Sequence, residues 1–357
     1  MLAHLHRVIR AALLVFAVAI TAHAPAAQAA EKKSFKIAWS IYVGWMPWDY
    51  AADSGILKKW ADKYGITIQL TQINDYVESI NQYTAGAFDG CVMTNMDMLT
   101  IPSAGGVDST GLIIGDFSNG NDGVVLKGKG KTLANIKGLP VNLVELSVSH
   151  YLLARGLETV GLQERDIKVV NTSDADIVGA YAAADTKATV TWKPQLSEIL
   201  AAKDAQLVFD SSKIPGEIID MMVVNTATLQ DNPKLAKALV GAWYETLQLM
   251  RAKDPKALAH MAQASGTDLA GFNSQLATTR MFWTAAEAHA FAVSPNLVKT
   301  MDLVRKFSFD HGLLGEGAKS VDAVGIEFPG GKALGNAKSV KMRFDAGYMK
   351  MAADGAL

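Results

Sequence analysis

Four aromatic side chains fall within ten residues of one another: Trp39, Tyr42, Trp45 and Trp48. Indole and phenol rings offer flat faces to a planar solute and π-electron density to a cation. Trp39 is expected in the core of a strand. Tyr42 and Trp45, which flank Gly44 in a loop, are candidates for ligand contact, as are Trp48 just behind them and Trp192 at the end of a later strand. The polar candidates are Asn95, Ser118, Asp122, Glu145 and Glu217. All but Asn95 have a plain structural alternative. Ser118 and Asp122 sit in a run of turn-forming residues, and Glu145 precedes a helix whose dipole it would complement. Glu217, in Pro215-Gly216-Glu217, is as suited to solvent as to a ligand, and Asp97 is expected to cap a helix. No Arg or Lys occurs in residues 39–50, 94–97, 118–122 or 145–149. An anion would therefore meet only neutral donors there, whereas a donor-only cation would meet carboxylates and form charge-assisted hydrogen bonds.

Motifs for bond-making chemistry are scarce. Gly123 to Gly130 approaches a phosphate-binding loop, but Gly130 occupies the position that needs Ser or Thr. Beyond residue 30 the histidines are His150, His260, His289 and His311, with neither H-E-x-x-H nor G-x-S-x-G among them. No metal site or cofactor is expected. Cys91 is the single cysteine, so no internal disulfide is available, and it lies in a run that reads as a buried strand. These features point to binding without turnover.

The elements that must position such residues alternate. Strands are expected at 35–40, 66–71, 88–93, 111–115 and 123–126, with helices at 47–53, 56–64 and 77–85 between them. A second set comes after an exposed break at Gly128-Lys129-Gly130-Lys131, with strands at 141–144, 167–171, 188–191 and 206–209 and helices at 149–160 and 174–184. Residues 221–224 read as a strand returning to the first set, and from Asn232 onward the pattern reads as helical. Alternation of this kind predicts two α/β lobes, each a mostly parallel sheet flanked by helices. The first lobe comprises residues 31–125 and 224–357, and the second 126–223. The two crossings would form a hinge, with the ligand in the cleft at the C-terminal ends of the strands.

The N-terminus reads as an export signal. Arg7 and Arg10 precede an apolar stretch from Ala11 to Ala22, and Ala27-Gln28-Ala29 fits a signal-peptidase site. Twelve residues fall short of the roughly 20 needed to span a bilayer. Removal of residues 1–30 would leave 327 residues with a net charge of about −3, a balance suited to neither nucleic acid nor an anionic membrane surface. The expectation is a monomer, exported to the periplasm.

Several segments in order match one protein family: Tyr42-Val43-Gly44-Trp45-Met46-Pro47, Tyr50-Ala51 and Gly55-Ile56-Leu57-Lys58-Lys59, then Ala85-Gly86-Ala87-Phe88-Asp89 with Thr94 and Asp97, Lys137-Gly138, and Thr191-Trp192-Lys193-Pro194. Together they resemble the nitrate/sulfonate/taurine family of ABC-transporter substrate-binding proteins. The resemblance implies a type II periplasmic-binding-protein fold, with a membrane permease and a cytoplasmic ATPase as partners. The chain is further similar to the subgroup associated with urea carboxylase and guanidine-degradation gene clusters. The expected ligand is a small planar nitrogen-rich solute, guanidinium ahead of urea. The alternatives are a nitrate-, sulfonate- or taurine-type anion, and a pyrimidine-synthesising enzyme on the same architecture.

Overall fold

The short apolar runs become the strands of two sheets in the computed structural model, which describes residues 32–357. The segment read as an export signal, residues 1–30, lies outside the described residues. No helix among the described residues is long and apolar enough to cross a membrane.

The strands in chain order are β1 (Ser34–Trp39), β2 (Thr67–Gln72), β3 (Gly90–Thr94), β4 (Ser109–Ser118), β5 (Asp122–Lys127), β6 (Pro140–Leu143), β7 (Lys168–Asn171), β8 (Ala188–Trp192), β9 (Ala205–Asp210) and β10 (Ile219–Asn225). They continue with β11 (Thr279–Met281), β12 (Gly325–Glu327), β13 (Ala333–Leu334) and β14 (Val340–Phe344). The first sheet runs β13-β12-β14-β4-β10-β3-β1-β2, with β11 paired to the end of β4, and the second runs β7-β6-β8-β5-β9. Four helices position or support the candidate residues: α1 (Met46–Asp53), α2 (Tyr76–Thr84), α3 (Val148–Thr159) and α4 (Pro233–Arg251).

Most strands of each sheet run in one sense, as expected, though both sheets also contain antiparallel pairs. Strands β2, β1 and β3 run parallel, as do β7, β6 and β8. Among the reversed strands are β5, the first strand of the second sheet, and β10, by which the chain returns to the first. β5 is antiparallel to both β8 and β9, and β10 is antiparallel to both β3 and β4. A βαβ crossover joins parallel strands, so a βαβ reading does not hold at these two strands, each opposed to both of its neighbours. The C-terminal region corrects a second expectation: beyond Asn232 it is not all helix, because β11 to β14 extend the first sheet.

Local chemistry explains the helix starts. Pro47 stands in the first turn of α1, where its missing N–H costs nothing. Asp75 caps α2 by accepting a hydrogen bond from Glu78 N at 2.9 Å, and Ser147 caps α3 through Ser149 N. The core beneath the first sheet is closed by Trp48 of α1 and Trp243 of α4, whose rings lie 5.0 Å apart and are fully buried. Burial of two indoles on this scale contributes several kcal/mol.

Candidate functional site

Registers bring the functional residues together in rows. Asp220 of β10 lies opposite Thr94 at the end of β3 on one side and Asp116 of β4 on the other. In the second sheet, Asp122 at the start of β5 lies opposite Trp192 at the end of β8. Where the two rows meet there is a tight cavity of about 10 Å³, lined by Tyr42, Trp45, Tyr76, Thr94, Asp122, Val148, Trp192, Ile218 and Asp220. That is about the room of one water molecule, so a larger solute enters only if the walls move apart.

An unbroken aromatic chain walls the cavity. Ring centroids are 5.1 Å apart for Tyr42 and Trp45, 5.7 Å for Trp45 and Tyr76, and 5.5 Å for Tyr76 and Trp192, with the first and last pairs edge to face. Tyr76 is the keystone. Its hydroxyl donates to Asp97 Oδ2 at 2.7 Å and accepts from Thr94 N at 2.9 Å, while its backbone N–H donates to Asp174 Oδ1 at 3.1 Å. One residue thereby connects α2, the end of β3 and the loop before residue 177.

The electrostatics of the site are one-sided. No lining residue carries a positive charge, yet Asp122 and Asp220 are buried in the wall and Asp116 lies directly behind. Asp116 Oδ1 accepts the Tyr42 hydroxyl at 2.9 Å, and Asp122 Oδ2 accepts the Ser118 hydroxyl at 2.5 Å. Among the described residues, Asp116 Oδ2 and Asp220 Oδ2 have no hydrogen-bond partner. Burial pushes the Asp122 carboxyl up to about 7. Burial, then the neighbouring carboxylates, holds Asp220 well above the usual range, and burial raises Asp116 also. Burial likewise lifts Asp97 to about 6. Gly44 has a steric reason to be glycine: a Cβ there would lie 2.5 Å from Asp116 Oδ2 and 2.5 Å from the Tyr42 ring.

The structure brings Tyr42, Trp45, Asp122 and Trp192 to one cavity and sends the other candidates elsewhere. Trp48 packs on Trp243 in the core, because the first turn of α1 turns it inward. Asn95 is buried beside the returning chain, where its Nδ2 donates to the Glu217 carbonyl at 3.1 Å and its Oδ1 accepts from Ile219 N at 3.0 Å. It positions Ile218 and Asp220 rather than facing a solute. Ser118 acts through Asp122, and also contacts the Ser211 hydroxyl at 2.6 Å. Glu145 is exposed at the surface, since its strand has ended and the loop faces solvent. Glu217 is taken by Arg155, whose Nε and Nη2 donate to it at 2.9 and 3.1 Å, and by the Tyr151 hydroxyl. Asp97 is not a cap. Thr94 caps that turn, and the Asp97 carboxylate points inward to Tyr76 and Thr94. Sequence reasoning missed Asp116, Asp220, Tyr76 and Thr94. Asp116 and Asp220 carried a legible signal, a carboxylate adjoining an apolar run within a strand. Cys91 lies in the buried strand expected for it, and burial pushes its thiol up to about 12, so it stays protonated at neutral pH.

The model of the NMT1-like family matches residues 17–265, most of the chain. The chain belongs to the NMT1-like family. Among solved structures it is similar to the alkanesulfonate-binding protein SsuA from Xanthomonas axonopodis pv. citri bound to MOPS, with 18% identity, a TM-score of 0.67, and coverage of 83% of this chain and 99% of that one. The periplasmic aliphatic sulphonate binding protein SsuA from Escherichia coli gives 17%, 0.66, 80% and 94% for the same quantities. The periplasmic nitrate-binding protein NrtA from Synechocystis PCC 6803 gives 13%, 0.56, 92% and 99%. At these identities the likeness establishes the fold, which is that of periplasmic binding proteins. No match emerges among curated protein sequences.

Proposed function

We propose that the chain is the periplasmic solute-binding component of an ABC importer, and that it captures a small planar nitrogen-rich cation, guanidinium first, without chemical turnover. Residues 1–30 would direct export, a permease and its ATPase would be the partners, and the protein would act as a monomer. The two sheets would belong to two lobes that close on the ligand, with Tyr42, Trp45, Asp122 and Trp192 joined by Asp220 and Tyr76 as the contact residues. The observation that carries the ligand class is the pair of buried carboxylates, Asp122 and Asp220, in an aromatic cavity whose lining holds no positive charge. An unpaired buried carboxylate is costly, and a donor-only cation removes that cost. Stacking on the rings adds a cation–π term of about 2 kcal/mol when desolvated.

Urea is the second candidate. Trp45 Nε1 is buried without an acceptor among the described residues, and a carbonyl oxygen would supply one. Urea leaves a carboxylate uncompensated, however, so it ranks below the cation. The relatives described as binding sulfonate and nitrate suggest an anion instead, but an anion here would face Asp122 and Asp220 with no Lys or Arg in the wall. A pyrimidine-synthesising enzyme would need a reactive histidine, and no histidine lines the cavity.

Titration calorimetry at low salt tests this reading, with guanidinium chloride at millimolar levels or below, urea, nitrate and taurine as titrants. Guanidinium should bind most tightly and urea more weakly, with no heat from the two anions. Tighter binding of nitrate or taurine than of guanidinium would refute the ligand class. Steady conversion of a bound solute by the pure protein would refute the binding-protein reading itself.

A further inference from the structure

The two carboxylates at the back of the cavity stand in an arrangement that a ligand-binding role alone does not require. Asp220 and Asp116 occupy directly opposed positions on neighbouring antiparallel strands, are both buried, and lie within hydrogen-bonding reach of each other. Each has one oxygen, Oδ2, without a donor among the described residues. The titratable groups that face this pair are the Tyr42 hydroxyl from the loop after β1, already donated to Asp116 Oδ1, and Asp122 from β5. The ion pairs found among the described residues include neither Asp116 nor Asp220. Two carboxylates in contact, walled from water and lacking a cation, cannot both be ionised at modest cost. One proton held between them satisfies both unpartnered oxygens.

Resting on the reading of the cavity as a cation site, we infer that the Asp116–Asp220 pair is a proton-exchange element, which holds one proton in the empty site and releases it to solvent when a cationic solute enters. The charge balances: the pair passes from −1 to −2 as a +1 solute arrives, so the cavity keeps its net charge while the proton leaves to buffer. The solute takes over the role of the proton, donating to Asp220 from the cavity side while Tyr42 keeps hold of Asp116. The raised titration range of both carboxyls agrees with this assignment, burial being the first cause in each. Because the empty site binds more protons than the filled one, affinity must rise with pH until the pair ionises unaided.

Calorimetric titration of guanidinium into the wild-type protein tests this, with the pH fixed near 6.5 and buffers of low and high ionisation enthalpy compared. The observed heat should vary linearly with buffer ionisation enthalpy, with a slope of on the order of one proton released per cation bound. The apparent affinity should rise by up to about tenfold per pH unit between pH 5 and pH 7. In Asp116→Asn the slope should fall by about one proton and the pH dependence should flatten correspondingly. Because Asp122 also faces the cavity, Asp122→Asn serves as the contrast and should leave the larger part of the slope in place. The inference is overturned if guanidinium binds with heat independent of the buffer, or if the slope persists in Asp116→Asn and vanishes in Asp122→Asn. Either result leaves the cation reading intact. Failure of guanidinium to bind at any pH overturns both. The wild-type buffer comparison decides the question even if Asp116→Asn does not fold.

Discussion

Asp122 and Asp220 are carboxylates that the fold buries at the cavity without giving them a cation, and the consequences are specific. Asp122→Asn should weaken guanidinium binding by roughly 2 kcal/mol or more, about 30-fold, because it removes one partner of a buried charge pair; calorimetry reads the change directly. Glu145→Gln should leave binding unaltered, since Glu145 is exposed; a large loss would show that the exposed loop reaches the solute. The same carboxyls set a pH dependence for the ligand-free protein. Asp122 titrates near 7 when folded, against a usual value near 4. The folded state therefore holds more protons between those limits, and its contribution to stability is full below about pH 4 and lost as pH rises through about 7. Thermal unfolding of the empty protein should accordingly show a midpoint that falls from pH 5 to pH 7.5, and saturating guanidinium should oppose the fall by mass action. The rings Tyr42, Trp45 and Trp192 were legible because aromatic residues beside a strand end stand out in any sequence. Asp116 and Asp220 were harder to assign, since their importance arises from opposed registers on strands more than a hundred residues apart.

Strand order and helix caps convert those residues into a site. Tyr76 reaches the cavity because Asp75 caps α2, which fixes the first turn of that helix against Asp97 and Asp174. Trp48, one turn away from Trp45 in sequence, has a different task, closing the core on Trp243. Trp48→Ala should cost about 3–5 kcal/mol of stability in denaturant unfolding, while leaving the preference for guanidinium over urea unchanged. A change in that preference would place the indole at the solute instead. Gly44→Ala should disturb the site itself, because the added methyl would collide with Asp116 and the Tyr42 ring. It should weaken binding and also destabilise by about 1–3 kcal/mol through overpacking. The alternation of strands and helices through β9 was plain in the sequence. The reversal of β5 and β10 was not, because an apolar run has no direction until its partners are known. The strand β14, Val-Lys-Met-Arg-Phe, does alternate with period two, but it comes after long helices and reads as their continuation.

For the molecule as a whole, the family match and the fold were foreshadowed by the ordered segments from Tyr42 to Pro194, whereas the ligand depends on a few carboxylates that differ in consequence from their neighbours. Two sheets contribute to one small cavity, held by Tyr76 against Asp174 and Trp192, and on the proposed two-lobe reading a filled cavity would stabilise a closed form. Small-angle scattering should therefore show a contraction when guanidinium is added to protein whose empty form is open, and an unchanged profile at saturation would count against closure. The most direct measurement is a crystal structure of the protein grown with about 1 mM guanidinium, a concentration far below the molar range in which it denatures. The expected result is a flat, three-pronged ligand among Tyr42, Trp45, Tyr76 and Trp192, with its N–H groups donating to Asp122 and Asp220. A sulfonate or nitrate in that cavity, or guanidinium bound only elsewhere on the protein, would contradict it.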